Sequence, residues 1–283
     1  MSRALSGAPG GPANGRPGSA PALLAEPAPR TTAAAPWAAS DPYAAALRAG
    51  RGPLFLRRTD GWLLPLDVER WCARADPVDL EVLDRCEGTV LDVGCGPGRL
   101  VAELAARGRT ALGIDVSEAA VAHTLRLGGQ SLRRSVFDPL PGEGRWDTVL
   151  LMDGNIGIGG DPRALLARVA VLLAPGGLLI AEAAEADVDE RAQVQVVDVT
   201  DARTAGSPFP WARIGTPALV RDAGAAGWRV VAQWTSGGRR FVALRGGRDR
   251  RSTRSSAETP NSTAVISSQR ARKPSADSPA TDR

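Results

Sequence analysis

The sequence predicts an α/β fold: a doubly wound, mostly parallel, seven-stranded sheet that finishes in an antiparallel hairpin. Three observations carry this. From Val90 onward, short apolar runs alternate with stretches of helical period, the pattern of strand–helix–strand crossovers. The first of those runs empties into Gly94, Gly96 and Gly98 and then directly into a helical pattern. Towards the other end, Trp228 to Thr235 and Arg239 to Arg245 are separated only by Ser236-Gly237-Gly238, a link short enough to require an antiparallel pair.

Composition limits where this fold can lie. Of the 283 residues, 1–40 are mostly Ala, Pro, Gly and Ser, and 248–283 are Ser, Thr, Arg and Pro with almost no large apolar side chains. Neither segment has the apolar material to offset its ordering entropy, so both read as disordered tails. Between them, 41–87 reads as a cap or lid segment and 88–247 as the core. The net charge of +4 belongs to the last segment, which holds eight basic and four acidic residues; the remainder is neutral in sum. A basic tail can adhere weakly to nucleic acid, but the core has no basic stripe interleaved with aromatics, so a nucleic-acid partner is not expected there. Cys72, Cys86 and Cys95 are odd in number and lack C-x-x-C spacing, which predicts neither a disulfide framework nor a metal site and fits a reducing, cytoplasmic compartment. No apolar run is long enough for a signal peptide or a membrane span. The single lysine, Lys273, against many arginines and a heavy alanine content, points to a high-GC bacterial genome.

The elements follow in order. Asp41-Pro42 opens a short helix, a side-chain cap followed by Pro at the first helical position, which stops at Gly50. Leu54 to Arg58 and Trp62 to Leu66 flank Thr59-Asp60-Gly61 as a hairpin, and Pro65 keeps the second arm out of a central position. Helices are expected from Asp67 to Ala73 and, capped by Asp76, from Pro77 to Cys86. Val90 to Val93 is the first strand of the parallel sheet, and a helix runs from about Arg99 to Ala106. Ala111 to Ile114 ends in Asp115, and Ser117 caps a helix reaching about Leu127. Further strands are expected around Leu132 to Phe137, at Thr148 to Met152 and at Leu178 to Ala183. Asp161 caps a helix from Pro162 to about Leu173, and Pro175-Gly176-Gly177 reads as a turn. Glu182 to Gly215 is long and mixed, and a helix from Thr216 to Ala225 leads into the final hairpin.

The chemistry centres on Val90 to Leu100. Glycines at alternate positions let the chain turn tightly and approach a ligand, and the helix from Arg99 aims free N–H groups at the same space. A dinucleotide fingerprint, G-x-G-x-x-G, needs a glycine where Arg99 stands. The stretch instead resembles the first motif of class I S-adenosylmethionine-dependent methyltransferases, E/D-x-G-x-G-x-G, met here by Asp92, Gly94, Gly96 and Gly98. The terminal hairpin separates that fold from the dinucleotide-binding one independently of the motif. The resemblance covers about Asp76 to Arg245, and the DGNIGIGGDP segment at 153–162 gives the domain the look of small-molecule methyltransferases of high-GC bacteria.

The resemblance implies S-adenosyl-L-methionine as cofactor and assigns its contacts. Gly94, Cys95, Gly96 and Gly98 would pass its methionine part, with Asp92 ordering the loop or meeting the ammonium. Asp115, followed by Val116, would accept hydrogen bonds from the ribose hydroxyls, a position that an NAD site would use in the same way. In the adenine-contacting stretch Ser135 stands where the family commonly has an acid, so the contact falls to Ser135 or to Asp138, with Val136 as the backbone contact. Met152 and Asp153 close the cofactor set after the fourth strand. For the substrate side the candidates are Trp62, Asn155, Trp211 and Arg213; Trp62 and Trp211 have the alternative of anchoring their segments to the core. His123, the only histidine, falls on a helix that normally faces outward, so no general base is assigned. The expected activity is in-line methyl transfer to a small-molecule acceptor. Its rivals are a nicotinamide-dependent oxidoreductase, an inactive cofactor-binding regulator, and RNA methylation aided by the basic tail.

Overall fold

Residues 41–200 and 205–246 are described by the computed structural model. The expected tails, 1–40 and 248–283, lie outside the described residues. The chain opens with α1 (Pro42–Ala49), capped by Asp41, whose carboxylate accepts from the Tyr43 N–H. β1 (Leu54–Arg58) and β2 (Leu63–Leu66) form the expected hairpin, and β2 is an edge strand, as Pro65 requires. Next come α2 (Val68–Cys72) and α3 (Pro77–Asp84), the second with a capping box between Asp76 and Asp79. The parallel unit follows: β3 (Val90–Val93), α4 (Arg99–Ala106), β4 (Ala111–Asp115), α5 (Glu118–Arg126), β5 (Ser131–Arg133), β6 (Trp146–Leu151), α6 (Pro162–Leu172) and β7 (Leu173–Ala183). The chain ends with β8 (Asp189–Val197), β9 (Phe209–Ile214), α7 (Thr216–Ala225), β10 (Trp228–Ser236) and β11 (Arg239–Gly246).

The main sheet has seven strands in the order β10-β11-β7-β6-β3-β4-β5. The five inner and edge strands from β7 to β5 are parallel, and β11 pairs antiparallel with both β7 and β10. This is the architecture the alternating pattern and the terminal hairpin predict. Both faces are covered: Leu91, Val149, Leu166, Leu179 and Val242 lie in one apolar cluster, Val82, Leu104, Ile180 and Phe241 in another. Strands buried on both faces read as continuous apolar runs, which is why they are visible in the sequence.

Three local features depart from expectation. The strand expected over 132–137 is only Ser131–Arg133, because Asp138 accepts from the Ser135 N–H and turns the chain before Pro139 and Pro141, neither of which can donate to a ladder. Pro175-Gly176-Gly177 is a bulge inside β7, where the pairing with β6 steps from Trp146↔Leu173 to Thr148↔Leu178. Within the long mixed segment after Glu182, the described residues form β8 and β9. These join the first hairpin in a second, antiparallel sheet of order β2-β1-β8-β9. β9 is tied to the main body by bridges from Trp211 to Ile158, with Ala184 to Gly215 beside it. Gly157 allows that approach: a Cβ there would sit 1.9 Å from the Ala212 carbonyl oxygen.

Candidate functional site

The chain runs from β3 outward through β4 to β5, then returns to the other side of β3 as β6 and β7. At this switch the loops leaving β3 and β6 diverge and open a crevice at the carboxyl ends of the strands. The second sheet stands over it, leaving a cavity of about 620 Å³, within the range of small-molecule sites. A second hollow of about 480 Å³, beside Thr216, Trp234 and Arg240, lies on the hairpin side and away from the strand ends.

The floor of the cavity is the loop after β3. Gly94, Gly96 and Gly98 have φ of +72°, +54° and +89°, a region that a side chain makes costly. The loop is clamped by three neighbouring segments: β4, the turn after β6 and α5. The Gly94 and Cys95 N–H groups donate to the Ile114 carbonyl, and the Gly96 N–H donates to Asp115 Oδ2 at 2.9 Å. Asn155 Nδ2 donates to the carbonyls of Val93 and Gly94, both at 2.9 Å. Thr124 Oγ1 donates to the Gly96 carbonyl, and His123 Nδ1 lies 2.8 Å from that of Pro97.

Two carboxylates, Asp115 on this floor and Asp92 in β3 beneath it, are held above their usual range. Asp115 also accepts from the Ser117 N–H, yet burial outweighs those backbone bonds and raises it to about 6. Asp92, only 2 % exposed, accepts no hydrogen bond among the described residues; burial pushes it up to about 7 against the pull of Arg99. Behind the loop lies a buried ion network. Arg99 holds Asp79 and Asp153, both at 2.7 Å; Arg239 holds Asp79 and Glu182; Arg70 from α2 reaches Asp153 at 2.5 Å. Burial alone would raise Asp79, but Arg99 and Arg239 hold it at about 2. Burial likewise opposes ionisation of Asp153, and Arg99 and Arg70 keep it below the usual carboxylate range. Asp153 sits at φ +55°, a strained position for a non-glycine residue that the network over-determines.

The sequence-expected residues therefore divide. Gly94, Cys95, Gly96, Asp115, Val116, Ser135 and Val136 line the cavity. Gly98 lies one step behind them, against Thr124 at the start of α4. Asp92 is buried in β3 beneath the loop, and Met152, 1 % exposed, is packed in the core. Of the two acidic-position alternatives, Ser135 borders the cavity, while Asp138 turns back onto the Ser135 backbone. Asp153 and Asn155 border the cavity too, but the Asp153 carboxylate is held by arginines and the Asn155 amide nitrogen by the glycine loop. Trp211 and Arg213 line the side formed by β9. Trp62 lies outside, its ring faced by the guanidinium groups of Arg213 at 5.0 Å and Arg58 at 5.5 Å.

Sequence reasoning missed Tyr43, Arg99 and Glu185. Tyr43 lines the cavity and brings its hydroxyl within 3.4 Å of where a Gly96 Cβ would stand. Arg99 was legible only as a departure from the dinucleotide fingerprint; at 4 % exposure its side chain is the centre of the ion network. Glu185, just beyond β7, borders the cavity and has no hydrogen bond or ion pair among the described residues. No pattern in the sequence marks it.

Seven strands in this order, with a glycine loop at the switch and an antiparallel hairpin at one edge, make the class I methyltransferase fold. A family model described as a methyltransferase domain matches residues 68–233, and the chain belongs to that family. Among solved structures it is similar to an S-adenosylmethionine-dependent methyltransferase from Bacteroides fragilis in complex with S-adenosyl-L-homocysteine. The identity is 21 %, covering 74 % of this chain and 95 % of that one, with a TM-score of 0.63. The 1,6-didemethyltoxoflavin-N1-methyltransferase of Burkholderia thailandensis, with 1,6-didemethyltoxoflavin and S-adenosylhomocysteine bound, is similar at 20 % identity over 64 % of this chain and 81 % of that one, with a TM-score of 0.47. No curated protein matches the chain. No helix among the described residues is long and apolar enough to cross a membrane.

Proposed function

We propose that this protein transfers the methyl group of S-adenosyl-L-methionine to a small-molecule acceptor held between the glycine loop and the second sheet. The observation that carries the reading is the floor of the cavity: a glycine cradle with the Asp115 carboxylate lining it and the Asp92 carboxylate buried beneath the loop, both raised by burial. Each fits a complementary group of that cofactor. Each Asp115 oxygen that accepts a backbone N–H keeps a further lone pair, which suits the ribose hydroxyls. Asp92, beneath the loop and without a hydrogen-bonding partner among the described residues, suits the ammonium group or the ordering of the loop that meets it. Ser135 and the Val136 N–H suit the adenine edge, and the loop from Gly94 to Gly98 suits the methionine chain.

When bound, the cofactor would supply an electrophilic methyl on a sulfonium leaving group. Everything else falls to the chain: alignment of an acceptor lone pair with the methyl–sulfur axis, and exclusion of water by the second sheet. The nicotinamide alternative lacks support, since Arg99 fills the place of the third glycine and is committed to Asp79 and Asp153.

Isothermal titration with S-adenosylhomocysteine, NAD and NADP tests the reading, beside an Asp115→Ala variant. Micromolar binding of S-adenosylhomocysteine alone, weakened at least about tenfold in the variant, a loss of about 1.4 kcal/mol, is the expected result. Binding of NAD in its place would overturn it.

A further inference from the structure

We infer that the acceptor is an uncharged, apolar ring compound carrying one hydrogen-bond donor, seated on the inner face of the second sheet with that donor towards Glu185. This rests on the methyl-transfer reading of the same cavity and narrows it. Strand register puts a mainly apolar face over the crevice, with Leu64 opposite Leu56, Leu56 opposite Val196, Val194 opposite Phe209 and Ala192 opposite Trp211, while Arg58 and the Glu190–Arg213 pair mark its charged end. Phe209 and Trp211 meet edge to face at 6.1 Å. Leu64 and Trp211 on this inward face are only half-buried, so apolar surface is left facing the cavity rather than consumed in packing.

The charges around this wall exclude other classes of acceptor. Arg99, Asp153 and Glu182 are paired within the ion network, and Arg213 is paired with Glu190 at 3.1 Å and lies over the Trp62 ring. Arg134 stands beside Ser135, on the adenine side of the cavity. Among the described residues that line the sheet side the cation is Arg213, already paired with Glu190, so a phosphate or carboxylate there would meet no unpaired cation among them and would face the Glu185 carboxylate instead. A hydroxyl or neutral amine suits that carboxylate. As the acceptor oxygen or nitrogen lone pair forms its bond to the methyl carbon, and the carbon–sulfur pair stays on sulfur, the proton released from the acceptor passes to Glu185.

The test uses the full chain saturated with S-adenosylhomocysteine and ligand-detected NMR titrations of four probes: naphthol, methoxynaphthalene, naphthalenesulfonate and glucose 6-phosphate. Naphthol is expected to bind best. Leu64→Asp should weaken it at least about tenfold, because a charge then borders the ring. Glu185→Ala, which removes the acceptor oxygens, should abolish the preference for naphthol over methoxynaphthalene, and a preference that survives it would overturn the role given to Glu185. S-adenosylhomocysteine titrations, unchanged in both variants, report that each is folded with an intact cofactor half. Naphthol binding indifferent to Leu64→Asp, or tighter binding of the sulfonate or the sugar phosphate, would overturn the acceptor class while leaving methyl transfer standing. Failure of the unaltered protein to bind S-adenosylhomocysteine would overturn both.

Discussion

Asp92 and Asp115 are carboxylates that burial keeps protonated well above their usual range, at about 7 and about 6. A cationic ammonium beside the first and hydroxyl donors on the second both favour the ionised forms. Binding of S-adenosylhomocysteine should therefore strengthen as pH rises from about 5 to about 8 and release protons between those limits. Titrations in buffers of different ionisation enthalpy measure that release; uptake, or none, would contradict the proposed contacts. The same shifts act on the free protein with opposite sign to those of Asp79. For Asp92 and Asp115 the stabilising contribution is full below the unfolded value of 3.8 and is lost as pH rises through about 6 and 7. For Asp79, held at about 2, it is present above 3.8 and lost as pH falls through 2. Asp79 is fully buried between Arg99 and Arg239, so Asp79→Ala leaves buried guanidinium charge with one partner fewer. A loss of about 3–5 kcal/mol is expected, read from urea unfolding.

Loops and strands carry the site more than helices do. Gly98 opens α4 at φ +89°, and a Cβ there would fall 2.3 Å from Thr124 Oγ1 on α5. Gly98→Ala should cost about 1–2 kcal/mol in backbone strain alone, with further loss from the clash. Because the same loop bears Gly94 and Gly96, affinity for S-adenosylhomocysteine should fall with it. Gly157→Ala acts on the opposite wall. Its Cβ would push on the Ala212 carbonyl in β9, so it should loosen the second sheet and reduce acceptor turnover while leaving S-adenosylhomocysteine titrations unchanged. β8 and β9 are also the elements least legible in the sequence. β9 carries Pro210, which argues against a strand until its edge position is known, and β8 alternates polar and apolar residues within a long connection. The central parallel strands β3 and β6 were legible because burial on both faces leaves nothing to alternate, whereas β5, at the sheet edge with two of its three residues exposed, was expected in the wrong place.

For the molecule as a whole, a ligand that binds only the folded state should raise its stability by mass action. At about 100 times its dissociation constant, S-adenosylhomocysteine should add about 2.7 kcal/mol, or roughly 5–11 °C in Tm for a folded unit of this size, and NAD should add nothing. A thermal melt with each ligand checks this. By itself the sequence determined the local and periodic features: the strand–helix alternation, the glycine turn after β3, Asp115 at the end of β4, the first hairpin and the terminal one. Each depends on backbone sterics or on burial repeated along a contiguous segment. Tertiary structure alone decided what sits above the crevice and which charges remain free there. β1 meets β8 across more than a hundred residues, Arg99 finds Asp79 and Asp153 from separate elements, and Glu185 is left unpaired among the described residues. Pairings of that kind depend on where the elements come to rest, and no short-range pattern encodes them.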